Sequence, residues 1–188
     1  MTDAMNAATT PPPFTLEPFD ASSPTFDEVI RVYLEVFGGE EEGVREFITR
    51  YATTLPDWRG YVARVGEQVV GMGFGTRSLP GQWWHDKVAE QVGAEQPALQ
   101  DAWVLVDLAV RPAYRNRGIG AAIMNTLLVS QPWPRALLST EVANAGARRL
   151  YTRNGWRLLH PGFVFISGQQ PYVIMAREVS PELSQARR

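Results

Sequence analysis

Arg115-Asn116-Arg117-Gly118-Ile119-Gly120 is the stretch of this chain whose residue types and spacing point most directly to chemistry. Arginine forks donate charge-assisted hydrogen bonds, and glycines let a phosphate reach the backbone with no Cβ in the way. The flanking elements support an anion site. Upstream, Trp103 to Val110 is a near-continuous apolar run interrupted only by Asp107, as in a strand covered on both faces. Pro112 removes a backbone donor and ends it. Downstream, Ile119, Ile123 and Leu127 recur at i, i+4, i+8, with Met124 and Leu128 beside them, which marks one helix face. A strand that passes through glycines into a helix start offers unpaired N–H groups and the positive end of the helix dipole. The turn is neither a dinucleotide fingerprint nor a Walker loop. Ile123 stands where the first needs a third small residue, and the turn lacks the lysine of the second.

A second block follows, from Asn144 to Trp156. Asn144, Ala147 and Tyr151 share a helix face at i, i+3, i+7. Gly155 suits the left-handed residue of a helix C-terminus, and Trp156 then opens a strand. Ala136 to Thr140 before it reads as a short buried strand.

The two blocks, in this order and at this separation, resemble the GNAT superfamily of acetyl-coenzyme A-dependent N-acetyltransferases. The resemblance covers roughly residues 14–179 and is strongest from Val104 to Trp156. It implies that Arg115, Asn116, Arg117, Gly118, Ile119 and Gly120 hold the coenzyme's pyrophosphate, and that Leu108, Ala109 and Val110 bind pantetheine through their backbone. It implies further that Asn144 and Tyr151 line the coenzyme and thiol channel, with Tyr151 assisting departure of the thiolate. The Val110 N–H would polarise the acetyl carbonyl. The fold implied is α/β (α+β): a mixed, mostly antiparallel, twisted sheet of about seven strands with helices on both faces. Its central strands splay apart to admit the coenzyme.

Composition agrees with a single globular domain. The chain has 188 residues, 45% hydrophobic and 20% charged, enough for a substantial core. A net charge of −2 with no basic block argues against nucleic acid or an anionic membrane as partner. Having no cysteine, the chain can form no disulfide, thiolate–zinc site or cysteine acyl-enzyme, so acetyl transfer would be direct. The N-terminal residues lack the apolar core of a signal peptide, and no run approaches a membrane span; a cytoplasmic location is expected.

Along the chain, residues 1–13 read as a disordered tail, 14–179 as the domain and 180–188 as a polar tail. Phe14 to Phe19 suggests a first strand. Thr25 and Glu28 have capping-box spacing ahead of a helix bearing Phe26, Ile30, Tyr33, Leu34 and Phe37. Val44, Phe47, Ile48 and Tyr51 mark a second helix. Gly60–Val65 and Val69–Phe74 form a hairpin across Gly66-Glu67. Gly71, Gly73 and Gly75 alternate on one face of its second strand, for close packing or to leave room for substrate. Residues 78–100 form a connection longer than the family core needs, with Gln82 to Val92 as a helix. Trp156–Ile166 and Pro171–Glu178 suggest the last two strands.

An alkylammonium must lose its proton before it can attack, which requires a base. Asp107, inside an apolar strand, and Glu141, after the next strand, are the candidates; either could instead hold an arginine or cap a helix. Tyr151 could also be a core residue, and Asn144 simply an N-cap. His85 and His160 are too few and too separated for a metal site, and no metal is expected. The Trp83-Trp84-His85-Asp86 cluster could receive a cationic amine of a small molecule or peptide through aromatic faces and a carboxylate. Alternatively, Trp83 and Trp84 cover a sheet edge or a homodimer contact. The competing reading of the whole chain is a module that binds acyl-coenzyme A as a sensor without turnover.

Overall fold

The computed structural model describes residues 13–179; the expected tails lie outside the described residues except for Pro13. The chain runs β1 (Thr15–Pro18), α1 (Phe26–Phe37), α2 (Glu41–Thr54), β2 (Arg59–Val65), β3 (Gln68–Arg77) and α3 (Trp83–Val92). It continues β4 (Ala102–Val110), α4 (Ile119–Ser130), β5 (Arg135–Glu141), α5 (Ala145–Arg153), β6 (Arg157–Phe163) and β7 (Tyr172–Glu178). Short 3-10 turns at Pro97–Leu99 and Pro112–Tyr114, each begun by a proline, precede and follow β4. The seven strands form one sheet, ordered β1-β2-β3-β4-β5-β7-β6. Only β4 and β5 are parallel neighbours.

Apolar periodicity dictates which face each helix covers. On one face α1 and α2 bury Phe26, Val29, Ile30, Val44 and Ile48 against Val62, Met72 and Phe74. On the same side, Val88 of α3 packs on Leu137 and Ile174. On the other face α4 lays Ile119, Ile123, Met124 and Leu127 against Trp103, Leu105 and Leu138, joined by Tyr151 of α5 and Trp156. Each such side chain contributes roughly 1.5–3 kcal/mol on burial.

The glycines of β3 serve close packing. A Cβ on Gly73 would stand 2.9 Å from Ile123 Cγ2, and one on Gly75 would overlap the Trp103 ring and the Val104 carbonyl. The face that could have left room for substrate is filled by α4 and β4.

The capping box of α1 does not form. Thr25 makes no side-chain cap bond. Arg64 on β2 outcompetes it, donating to Thr25 Oγ1 at 3.0 Å and to Glu28 Oε1 at 3.1 Å. A guanidinium fork between two acceptors is the stronger arrangement. The penultimate strand ends at Phe163, short of the expected Ile166, because the register of β6 on β7 slips between Leu158 and His160 and again before Phe163.

Candidate active site

The middle of the sheet is split. β4 pairs with β5 only at Ala102, Val104 and the Trp103 between them, opposite Arg135 to Leu137. From Leu105 to Val110 it has β3 on one side and a gap on the other. Strand parity decides which backbone groups face the gap. The Arg111 N–H donates to the Val70 carbonyl at 2.9 Å, and the Ala109 and Asp107 carbonyls lie toward Gly71 and Gly73 of β3. The residues between them, Leu108 and Val110, therefore turn their N–H and C=O into the gap. Ala109, expected among the backbone contacts, faces β3 and is 1% exposed. Of the three expected pantetheine contacts, Leu108 offers an unpaired N–H and C=O, and Val110 only its N–H, because Arg115 holds its carbonyl.

At the end of that edge stands the turn into α4. Gly118 is the N-cap, with φ +81°, a left-handed conformation that strains other residues, and open space where a Cβ would lie. Ala122 is the first α4 amide to find a helical partner, donating to the Gly118 carbonyl at 2.9 Å, so Ile119, Gly120 and Ala121 hold unpaired N–H groups. Asn116 also has a positive φ, +61°, which bends the turn. Ile119 contributes only its backbone, since its side chain is buried under α4. Arg115 Nε donates to the Val110 carbonyl at 3.0 Å and so ties turn to strand. Arg117 lies over the Tyr114 ring at 5.3 Å. The second glycine differs from the first. A Cβ on Gly120 would meet only Leu150 Cδ2 at 3.5 Å and Val110 Cγ2 at 3.6 Å, ordinary contact distances. The fold does not demand glycine there. A cradle of free amides, two arginines and uncovered glycine backbone fits a diphosphate-bearing coenzyme.

Asp107 lies at the split because of a β-bulge. Phe74 pairs with Asp107 and Gly75 with Leu105, which leaves Val106 as an extra residue. Simple alternation would have put Asp107 on the α4 face with Leu105. The bulge turns it to the face of α1 and α2. Its Oδ2 is sealed from solvent and has no hydrogen-bond partner, and burial pushes the carboxyl up to about 7. Glu141, the other candidate base, is exposed at the end of β5 beside Tyr172. Tyr151 packs edge-on to Trp156 with ring centroids 5.9 Å apart. Burial, and then the charge of Asp107, push its hydroxyl well above the usual tyrosine range, so it stays protonated and can donate. Asn144 caps α5, accepting from the Ala147 N–H at 3.0 Å.

A pocket of about 470 Å³ lies beside the first part of β4, between α2 and α3. Trp83, Trp84 and Ser139 line it together with Arg50, Tyr51 and Thr54 of α2. Sequence reasoning had assigned Tyr51 only to a helix core and had not singled out Arg50. Trp84 Nε1 donates to Ser139 Oγ at 3.1 Å, and both tryptophans pack near Phe165. The rest of the expected cluster is engaged elsewhere. His85 is buried with its Nδ1 2.9 Å from Ser78 Oγ, and Asp86 accepts from the Gly81 N–H at 2.9 Å. No carboxylate of this cluster lines the pocket. Among the described residues no group of three or more His, Asp or Glu could hold a metal ion, and no helix is long and apolar enough to cross a membrane.

Comparison with known proteins agrees with this geometry. Residues 56–158 match the acetyltransferase (GNAT) domain family. A GCN5-like protein acetyltransferase of Mycobacterium tuberculosis is 29% identical over 119 residues, covering 58% of each chain. The chain thus spans little more than half the length of that curated relative. Among solved structures, a GNAT-family acetyltransferase of Bacillus cereus is similar with a TM-score of 0.66 at 12% identity, over 89% of this chain and 99% of that one. A chain of the NatC complex bound to Gag peptide and CoA is similar with a TM-score of 0.64 at 13% identity, over 89% of this chain and 99% of that one. At these identities the structural likeness speaks for the fold.

Proposed function

The chain belongs to the GNAT acetyltransferase family, and we propose that it acetylates an amine of a small molecule or peptide directly from acetyl-coenzyme A. The observation that carries this reading is the split between β4 and β5. It leaves the Leu108 N–H and C=O and the Val110 N–H unpaired beside the α4 N-terminus, with the unpartnered Oδ2 of Asp107 on the same strand.

Bound acetyl-CoA supplies an activated thioester. The amides of Ile119, Gly120 and Ala121, with Arg115 and Arg117, hold its diphosphate, and the Leu108 N–H and C=O align its amide-bearing arm. The Val110 N–H donates to the acetyl oxygen as negative charge develops there, a contribution worth about 2.7–4 kcal/mol for an oxyanion donor. Asp107, with a carboxyl near pH 7, accepts the proton of the attacking amine. Tyr151 gives its hydroxyl proton to the departing thiolate. The unpartnered Oδ2 of Asp107 favours turnover over a sensor role, because leaving a carboxylate oxygen buried without a partner costs stability that coenzyme binding alone does not require.

The test is release of free coenzyme A thiol on mixing acetyl-CoA with a panel of amines, alongside thermal melts. Acetyl-CoA at about 100 times its Kd should add roughly 2.7 kcal/mol of stability, and ATP much less. Stabilisation with no release for any amine converts the reading to the sensor. Equal stabilisation by ATP overturns the coenzyme assignment.

A further inference from the structure

The acceptor-side pocket is of small-molecule size, about 470 Å³. Its walls are apolar and aromatic: Leu55, Val104, Val106, Trp83 and Trp84. Its neutral polar side chains are largely satisfied by the chain itself. Thr54 Oγ1 donates to the Arg50 carbonyl at 2.7 Å, and Thr76 Oγ1 to the Arg77 carbonyl at 3.0 Å. Gln82 Oε1 accepts from the Leu79 N–H at 2.9 Å, and Ser139 Oγ accepts from Trp84 at 3.1 Å.

Arg50 stands apart. It is the sole charged side chain on the lining. Among the described residues its guanidinium has neither a carboxylate nor a hydrogen-bond partner. The contrast lies on the same helix, where Arg45 is held by Asp27 at 2.9 Å and by Glu41 at 3.2 Å. Glu46, one turn before Arg50, does not pair with it. An unengaged guanidinium at the rim of an aromatic pocket repels a cationic tail and offers a two-pronged site to a carboxylate.

We infer that the acceptor is a small amine that also carries a carboxylate and an apolar or aromatic body, in the manner of an amino acid. The carboxylate pairs with Arg50, the body lies against Trp83, Leu55 and Val106, and the amine points to Asp107. This rests on the acetyl-transfer reading above and adds the substrate class to it. The same charge disfavours polyamines and aminoglycosides.

Steady-state acetylation of L-phenylalanine and L-leucine, each against its decarboxylated amine, with spermidine as the cationic arm, tests the idea. The amino acids should be favoured in kcat/KM by about 10- to 100-fold, the range for one charged hydrogen-bonded contact. Arg50→Ala should collapse that ratio toward one, and Arg50→Lys should recover part of it. Preference for spermidine or the decarboxylated amines, or an equal loss for both members of each pair in Arg50→Ala, overturns the inference. Calorimetric binding of N-acetyl-L-phenylalanine, with and without coenzyme A, separates it from the reading beneath. Arg50-dependent binding without turnover of any amine keeps the substrate class and removes the acetyltransferase reading. Turnover indifferent to Arg50 does the reverse. Neither binding nor turnover removes both.

Discussion

The two sides of the gap between β4 and β5 are built from different materials. On the proposed coenzyme side most of the working groups are backbone: amides at the α4 N-terminus, the outward N–H and C=O of Leu108 and the Val110 N–H, with Arg115 and Arg117 beside them. On the acceptor side they are side chains: Arg50, Tyr51, Trp83, Trp84 and, at the split, Asp107. Backbone groups are positioned by register and by a left-handed glycine, and they suit a ligand whose chemistry does not change. Side chains can be exchanged without moving the fold, and they suit a partner that differs from one relative to the next. This division predicts that substitutions on one side should change coenzyme affinity and those on the other should change acceptor kinetics.

The largest break should come from Gly118→Val. At φ +81° a β-branched residue carries strain of about 1–3 kcal/mol and tilts the amides that follow. Coenzyme binding by calorimetry should disappear while far-UV circular dichroism remains that of a folded domain. Gly120→Ala sharpens the point, because the fold has room for it. Any loss of affinity there reports the ligand's approach alone. Unchanged affinity in well-folded Gly118→Val would remove the phosphate assignment.

Asp107→Asn comes next, lowering kcat by about 10²- to 10⁴-fold with coenzyme affinity kept. The rate should rise with pH through about 7 as the carboxyl ionises. Stability should run the other way. The folded carboxyl is raised to about 7 from 3.8, so between those values the native state holds a proton that the unfolded chain has lost. That stabilisation is complete below 3.8 and falls away as pH rises toward 7. Thermal melts should show Asp107→Asn gaining on the parent at pH 8 and losing that advantage near pH 4. A flat difference between the two would place Asp107 outside the titration.

Tyr151→Phe keeps the ring on Trp156 and removes the hydroxyl. It should lower kcat toward the smaller end of the general-acid range, about 10²-fold, with little change in coenzyme Kd. Full kcat in an assay limited by chemistry would return Tyr151 to the core. The smallest effect belongs to Trp83→Ala. Trp83 is 53% exposed, so the melt should barely move while acceptor KM rises more than that of acetyl-CoA. Trp84→Ala is the control on the other side of this distinction. Trp84 holds Ser139 and packs near Phe165, so its loss should lower stability as well.

The coenzyme side was the more legible of the two in the sequence. Arginine, glycine and the helix start sit together within Arg115 to Gly120, so the proposed site coincides with a local pattern. Asn144 was readable as a cap for the same reason. What escaped needed information from across the chain. The bulge at Val106 decides which face Asp107 takes, yet it arises from the register of β4 against β3, not from the β4 residues themselves. Ala109 was grouped with its neighbours because a list of strand residues carries no parity until one interstrand bond is known. Thr25 and Glu28 had the right spacing for a cap, but Arg64 took both acceptors. Arg50 lies off the apolar face of α2 and carried no local signal; only the placement of α3 alongside makes it part of the wall of a pocket.

The three-pair seam between β4 and β5 has one more consequence. A seven-stranded sheet joined at its centre by so few partners is mechanically two blades, β1 to β4 and β5 to β7. A ligand whose amides pair with Leu108 and whose carbonyl accepts from the Val110 N–H fills the place of the missing neighbour and completes the sheet with something other than protein. Amide hydrogen exchange should register this residue by residue. Arg111 is slow in either state because Val70 already holds its N–H. Leu108 and Val110 exchange quickly until the gap is filled. That alternation along a single strand is the imprint of a guest acting as a strand.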